Sequence, residues 1–266
     1  MRCLYGALAL AWSAGVALAG PPADPLGSPM WTDMVERVLD GGEVVFDERV
    51  KVLVPSVVEN QAQVPMTVDA RELSHVEKLV VFADLNPIQH VLTLTPGRSA
   101  PYVSFRMKVE QGTPVRAAAL GADGVWHVGG VYLDAAGGGC SAPATARKEE
   151  SWSTTVGQAQ ARIWRDGSGL ARLRFRIRHP MDTGLAKDNT PAYYIEHVKL
   201  RSSSGAPLAT LEMFEPMSED PTVTLMVPLS TSESAVEMEG RDINGGLYRS
   251  HVPAPWRQSS LVAPRG

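Results

Sequence analysis

The chain has 266 residues, of which 44% are hydrophobic and 20% are charged, so it can form one large packed domain or two of ordinary size. This balance excludes an intrinsically disordered chain. The formal net charge is −4, from 25 Lys and Arg against 29 Asp and Glu. That charge argues against a general nucleic-acid binder, because such proteins carry a basic face.

Residues 1–19 predict a secretory signal peptide. Arg2 supplies the positive end, an apolar run continues to Leu18, and the small residues Ala17 and Ala19 precede the expected cleavage point. The run is shorter than the ~20 apolar residues that a membrane-spanning helix needs, so we expect export without stable membrane insertion. No twin-arginine motif is present, which favours the Sec route.

Removal of this peptide takes Cys3 with it and leaves Cys140 as the one cysteine of the mature chain. An internal disulfide is then excluded. An unpaired cysteine in an exported protein indicates either intermolecular pairing or a reactive thiol, and the alternative is a buried cysteine that acts as a small apolar side chain.

The first domain is predicted over residues 28–134. Ser28 is a candidate N-cap and Gly41 a candidate stop for a short amphipathic helix. From Arg49 onward, about seven short runs of apolar and β-branched residues are separated by turn residues, and Val103 to Val109 alternate apolar and polar side chains. This rhythm predicts an immunoglobulin-like β-sandwich.

Residues 135–158 interrupt the strand pattern. They are rich in Gly, Ser and Ala, and Trp152 is the one large apolar residue. We therefore expect a flexible linker, with Gly137, Gly138 and Gly139 as a mobile arm leading into Cys140.

A second β-sandwich is predicted over residues 159–256. Its first clear strand has one apolar face and one basic face, formed by Arg172, Arg174, Arg176 and Arg178. The basic face has two interpretations, a solvated surface or a strip that binds a partner. The predicted fold class is thus all-β, with two immunoglobulin-like β-sandwich domains joined by a Gly/Ser/Ala-rich linker and preceded by a short N-terminal helix.

The sequence does not predict an enzyme. A catalytic Cys140 would need a base held rigidly beside it, and a run of three glycines does not hold a nucleophile in place. None of the six histidines lies near Cys140 in sequence. The chain has no metal-ligand spacing and no phosphate-binding glycine loop, so neither a metal nor a cofactor is expected.

A thiol on a mobile arm instead predicts a covalent carrier. Between Leu133 and Cys140 the chain can extend about 25 Å if each residue spans about 3.5 Å. A solvated thiol has a pKa near ~8.5, so activation would come from the enzyme that the carrier visits.

Two motifs resemble the SoxYZ carrier of thiosulfate oxidation. Gly137 to Cys140 resemble the Gly-Gly-Cys-Gly arm of the SoxY subunit. Ile177 to Asp188 resemble a SoxZ segment in a set of seven matching residues, His179, Pro180, Met181, Thr183, Gly184, Lys187 and Asp188. The order SoxY then SoxZ on one chain is similar to fused carriers found with pyrroloquinoline-quinone (quinoprotein) alcohol dehydrogenases.

This resemblance implies two immunoglobulin-like domains, a periplasmic location and a carrier cysteine at Cys140 that presents sulfur, or another thiol-linked group, to periplasmic redox enzymes. In SoxY the cysteine arm is a free C-terminus, whereas here a whole domain follows Cys140, which favours a partner with an open active site. The alternative hypothesis is a non-covalent scaffold for a quinoprotein dehydrogenase or its cytochrome. A further hypothesis is a dimer linked through Cys140.

Overall fold

A computed structural model describes residues 20–165 and 169–254. The predicted signal peptide, residues 1–19, lies outside the described residues. Over the two described ranges, no helix is long and apolar enough to cross a membrane.

The chain forms two short helices, one 3-10 turn and fifteen strands in the described ranges. The helical elements are α1 (Trp31–Val38), the 3-10 turn (Ala146–Lys148) and α2 (Trp152–Thr155). The strands of the first half are β1 (Val44–Phe46), β2 (Lys51–Leu53), β3 (Val64–Asp69), β4 (Val76–Ala83), β5 (His90–Thr95), β6 (Tyr102–Met107), β7 (Thr113–Gly121) and β8 (Trp126–Leu133). Those of the second half are β9 (Ala159–Arg165), β10 (Leu170–Ile177), β11 (Ile195–Ser202), β12 (Pro207–Met213), β13 (Thr222–Pro228), β14 (Ala235–Asp242) and β15 (Leu247–Pro253).

The N-terminal helix covers the outer face of one sheet. Trp31, Met34 and Val35 are buried against side chains of β4, β7 and β8, in a cluster separate from the main core. The predicted N-cap is wrong by two residues, because Met30 occupies that position. Ser28 lies outside the helix and accepts the N–H of Met30 with its hydroxyl oxygen. Gly41 does close the helix, with φ +65° and its N–H bonded to the carbonyl of Val35.

The strands form two sheets that face each other across one core. One sheet has nine strands in the order β1-β8-β7-β4-β5-β12-β11-β14-β15, and the other has six in the order β2-β3-β6-β13-β10-β9. The all-β fold class with two immunoglobulin-like domains and a short N-terminal helix is confirmed.

The sequence did not predict how the domains meet. β5 pairs with β12 over four residue pairs, and β6 pairs with β13, so both sheets continue from one domain into the other. The main apolar core is correspondingly continuous across both halves. Backbone pairing of this kind satisfies N–H and C=O groups that an edge strand would leave open.

The core strand of the second domain follows its sequence pattern. Along β10, the apolar residues Leu173 and Phe175 are buried while Arg172, Arg174 and Arg176 are exposed. The basic face therefore points away from the core, on the outer side of the six-stranded sheet.

We predict that Leu211→Ala lowers the free energy of unfolding by about 2–5 kcal/mol, because truncation of a buried leucine loses apolar contacts and leaves a cavity. Leu211 is 0% exposed and lies opposite Leu94 where the two domains join. Because the core is continuous, denaturant unfolding should remain one cooperative transition.

Leu247→Ala is the matched control, since Leu247 is 57% exposed and its truncation should change stability by less than about 0.5 kcal/mol. An unfolding curve for Leu211→Ala that splits into two transitions, with only one of them shifted, would contradict a shared core.

Candidate functional site

Cys140 lies in the junction between the two domains and is 0% exposed. The residues before it run along the end of β6. Gly138 donates a backbone hydrogen bond to the carbonyl of Glu110 at 3.1 Å, and Gly139 donates one to the carbonyl of Val109 at 3.0 Å. We call residues 137–141 in this position the cysteine segment.

The glycines allow this close approach. A Cβ on Gly139 would overlap the carbonyl oxygen of Gln61, and one on Gly137 would overlap that of Glu110. Gly138 has open space around it but a φ of +86°, which side chains other than glycine rarely accept. In this structure the glycine run therefore holds the segment against the protein, and the predicted swinging of the arm stays a prediction.

Glu110 fastens the cysteine segment from the first domain. Its Oε2 accepts the N–H of Cys140 at 2.9 Å and the N–H of Ser141 at 3.0 Å, while its Oε1 accepts the Ser141 hydroxyl at 2.9 Å. Hydrogen bonds to an ionised acceptor are stronger than neutral ones, so a single carboxylate makes three strong contacts here.

The second domain holds the same segment from the other side. Thr183 donates a hydrogen bond from its hydroxyl to the carbonyl of Cys140 at 2.6 Å. The same hydroxyl oxygen accepts a hydrogen bond from the N–H of Leu185. The segment that contains His179, Met181 and Thr183 is thus brought to the cysteine, whereas Lys187 and Asp188 lie exposed.

Lys108 is a buried cation beside the thiol. Its Nζ donates to three backbone carbonyls, those of Met181 at 2.5 Å, Met217 at 2.7 Å and Glu215 at 3.0 Å. Burial lowers the pKa of Lys108 to about 8, although nearby carboxylates and Cys140 oppose the change.

Burial raises the pKa of the Cys140 thiol to about 12 from an ordinary value of 9.0; the charge of Lys108 opposes this rise and that of Glu110 adds to it. The expectation of a solvated thiol with an ordinary pKa is therefore wrong for this conformation. In this position the thiol is protonated at neutral pH and out of contact with solvent.

His179 is buried and shapes the loop around Lys108. Its Nδ1 accepts the N–H of Met181 at 3.0 Å, and Asp220 accepts its backbone N–H. Burial lowers the pKa of His179 to about 4, so the ring is neutral at neutral pH. Met181 itself has a φ of +49°, a conformation that these contacts sustain.

The chain after Cys140 is also fixed to the second domain. Glu219 accepts the N–H groups of Thr145 at 2.8 Å and Ala146 at 2.6 Å, and Arg147 pairs with Asp182 at 2.5 Å. The segment predicted as a flexible linker therefore makes specific polar contacts in this structure.

The sequence did not predict Lys108 and Glu110 as functional residues. The alternation from Val103 to Val109 predicts Lys108 on the polar face of a strand, but β6 ends at Met107 and the second domain covers the next residue. The second domain encloses Lys108, and the segment after β8 brings Cys140 and Ser141 to Glu110, so both charges become part of a site through contacts distant in sequence. In the part of the chain that the structure describes, no group of three or more His, Cys, Asp or Glu side chains could hold a metal ion.

Two family models match the chain. "Sulfur oxidation protein SoxY" matches residues 35–140 and "Sulphur oxidation protein SoxZ" matches residues 165–253. One chain joins a SoxY domain to a SoxZ domain. The SoxY match ends at Cys140, and Thr183 places the SoxZ domain in contact with it.

Among solved structures, the sulfur carrier protein SoxY from Chlorobium limicola f thiosulfatophilum is 18% identical with a TM-score of 0.35, and the match covers 40% of this chain and 94% of that one. A glycosyl hydrolase family 2 member from Bacteroides cellulosilyticus is 12% identical with a TM-score of 0.21, covering 75% and 28%. A comparison with curated proteins finds no match.

We predict that Glu110→Ala exposes the thiol. The substitution removes three hydrogen bonds to the cysteine segment, and even one bond to a charged group contributes about 1.5 kcal/mol, so alkylation of native protein at neutral pH should speed up at least ~10-fold. Glu48→Ala removes an exposed carboxylate elsewhere and should leave the rate unchanged. Equal rates for the wild type and Glu110→Ala would show that Glu110 does not hold the segment.

The pH dependence of alkylation tests the burial of the thiol. Because the pKa of buried Cys140 is raised, its burial stabilises the seated segment fully below pH 9.0, and this contribution is lost as pH rises toward about 12. The native rate should therefore keep rising about tenfold per pH unit above pH ~9. The rate of protein unfolded in guanidinium should level off there, and a native profile that levels off at the same pH would contradict a buried thiol.

Proposed function

We propose that this protein is a covalent sulfur carrier that holds its cargo on Cys140. The observation that carries the proposal is that the SoxY domain ends at a cysteine, which both domains hold at their junction through Glu110 and Thr183. A cysteine that served only to fill the core would not need a carboxylate and a hydroxyl fastened to its own backbone.

The buried state is the resting state of this carrier. A thiol with no exposed surface cannot meet another protein's sulfur, so loading requires the cysteine segment to leave the junction. Release restores an ordinary thiol pKa, and the thiolate then becomes a substantial fraction just above neutral pH. Burial thereby protects the thiol from adventitious oxidation between transfers.

Loading can proceed without an external oxidant when the donor is a persulfide. The Cys140 thiolate attacks the outer sulfur of the donor, a Cys140–sulfur bond forms, and the donor's sulfur–sulfur bond breaks. The products are a Cys140 persulfide and the donor thiolate, so the number of electrons and the total charge are unchanged. The protein itself supplies no catalyst in this step, which assigns the chemistry to partner enzymes of sulfur oxidation.

The tether at both ends sets the reach of the thiol. From Leu133, the last residue of β8, the released chain extends about 25 Å to Cys140, provided that the contacts of Thr145 and Ala146 with Glu219 also open. A loop with two ends is broader than a free tail, so the partner's active site must be open enough to admit both arms.

A periplasmic location completes the proposal. It is supported by the predicted signal peptide, which lies outside the described residues, and by the family resemblance of the two motifs. A dimer linked through Cys140 would require release of the cysteine segment in both copies.

The second candidate is a scaffold for a quinoprotein dehydrogenase or its cytochrome, with Cys140 as a core residue. The complete burial of the thiol and its raised pKa favour this candidate, since both are typical of a structural cysteine.

Intact mass spectrometry of protein purified from its host without reductant separates the two candidates. The carrier predicts a fraction whose mass is higher by one or more sulfur atoms, removed by reductant and absent from Cys140→Ser. Cys140→Ser should also abolish sulfur oxidation by the host, while Ser56→Ala, a matched change at an exposed serine, retains it. Full physiological function in Cys140→Ser would exclude the carrier and favour the scaffold.

A further inference from the structure

A basic groove lies on the outer face of the six-stranded sheet. It encloses about 670 Å³ and crosses β6, β13, β10 and β9. We call it the arginine groove and define it by six of its lining residues, Arg106, Arg162, Trp164, Arg174, Arg176 and Arg178.

Three carboxylates also line the groove, Glu149, Glu219 and Asp220, but Arg176, Arg178 and the backbone of residues 145–146 already engage them. The other guanidinium groups of the groove lack a counter-charge in the described part of the chain. Arg162 on β9 lies directly opposite Arg174 on β10, and both are exposed. Like charges directly opposite one another destabilise a strand pair. Among the described residues, neither arginine, nor Arg106, forms an ion pair, although the net charge of the chain is −4.

Trp164 supports this concentration of charge from within the groove. The guanidinium of Arg172 lies 4.6 Å from the centre of its ring, and that of Arg162 lies 5.2 Å from it. Cation–π contacts hold both side chains extended over the sheet without neutralising them. The groove therefore keeps an arrangement that repels itself and that an anionic ligand would relieve.

The spacing of the charges matches an extended chain. Arg172, Arg174 and Arg176 are two residues apart on one strand, so they repeat about every 6.6 Å, the same distance that separates alternate side chains of any other extended segment. A segment with carboxylates at alternate positions can meet Arg174 in the groove together with its two neighbours on the strand, Arg172 at the edge of the groove and Arg176, which also pairs with Asp220. A small oxyanion can bridge only one or two of them.

We propose that the arginine groove binds an extended acidic segment of a partner protein, with carboxylates at alternate positions. The proposal rests on the proposed function, because such a partner would be one that loads or unloads Cys140. Thr145 and Glu149, which follow Cys140 in the chain, line one wall of the groove.

Binding there also competes with a contact of the linker. Arg178 pairs with Glu149 and, at 3.0 Å, with Asp220. A partner carboxylate seated at Arg178 takes the place of Glu149, and it does so beside the residues that must open for Cys140 to leave. The groove thus places an acidic partner beside the linker residues that follow Cys140 in the chain.

The test measures the binding of a synthetic peptide of alternating Glu and Thr to the whole protein by isothermal titration calorimetry at low salt. The expected result is binding that weakens as salt is added, while a peptide of alternating Gln and Thr does not bind. Arg162→Glu combined with Arg174→Glu should weaken binding at least ~10-fold, since each reversal replaces attraction by repulsion.

Lys199→Glu combined with Arg201→Glu is the matched control. These two exposed cations are also two residues apart on a strand, but they lie on the other sheet opposite Glu239 and Glu237. The control should change the affinity less than about twofold, because these cations lie on the other sheet, outside the arginine groove. Equal weakening by both double variants would show non-specific attraction and overturn the proposal.

Two further arms complete the test. Sodium sulfate that displaces the peptide, where sodium chloride of equal ionic strength does not, would mark a small-anion site and overturn the assigned occupant. Intact mass spectrometry of the Arg162/Arg174 double variant separates the two proposals. A sulfur adduct on Cys140 in a variant that no longer binds the peptide would support the carrier independently of the groove. Cys140→Ser should bind the peptide as the wild type does.

Discussion

β5 pairs with β12, and β6 pairs with β13, so that the sheets of the SoxY domain run on into those of the SoxZ domain. The site depends on this edge-to-edge pairing. It covers the end of β6, and that cover turns Lys108 from a surface residue into a buried cation held by three carbonyls. It also brings Thr183 to the carbonyl of Cys140. Neither domain alone contains the complete site.

The position of Cys140 at the junction conflicts with the access that a carrier thiol needs. A carrier thiol must reach other proteins, but in this position it is buried, protonated and fastened through its own backbone. The fastening is polar and lies along the main chain, so water can replace each bond when the segment opens. The apolar core of the sandwiches does not have to open with it. A polar attachment beside a rigid core is the arrangement expected of a segment that opens locally while the fold persists.

The sequence predicted the parts of the molecule that depend on local pattern. Alternation along β10 located its buried and exposed faces, and Gly41 marked the end of the first helix. The cysteine and the motif around His179 were recognised by residue type and spacing.

Contacts between segments that are distant in the chain do not follow from local sequence pattern. The joining of the sheets depends on which edge strands find each other, and Val103 to Val109 would look the same on a solvent-facing edge. The glycine run predicts a mobile segment, because glycine permits many conformations. In the structure a side chain at Gly139 would overlap the carbonyl oxygen of Gln61, so the position requires glycine for close packing. The role of Glu110 was not predictable either, because Glu110 and Cys140 are 30 residues apart in the chain and no local pattern links them.

The central claim is that Cys140 works by leaving the junction when it carries cargo. Hydrogen–deuterium exchange of the Cys140 and Ser141 amides, measured with the thiol free and with the thiol converted to a persulfide, tests it most directly. Both amides are bonded to Glu110 in the seated segment. Because the Cys140 side chain is fully buried, the account predicts slow exchange in the free-thiol form and exchange at least ~10-fold faster in the persulfide form, with the amide of Phe175 in the core unchanged. Equal protection of both amides in the two forms would contradict it.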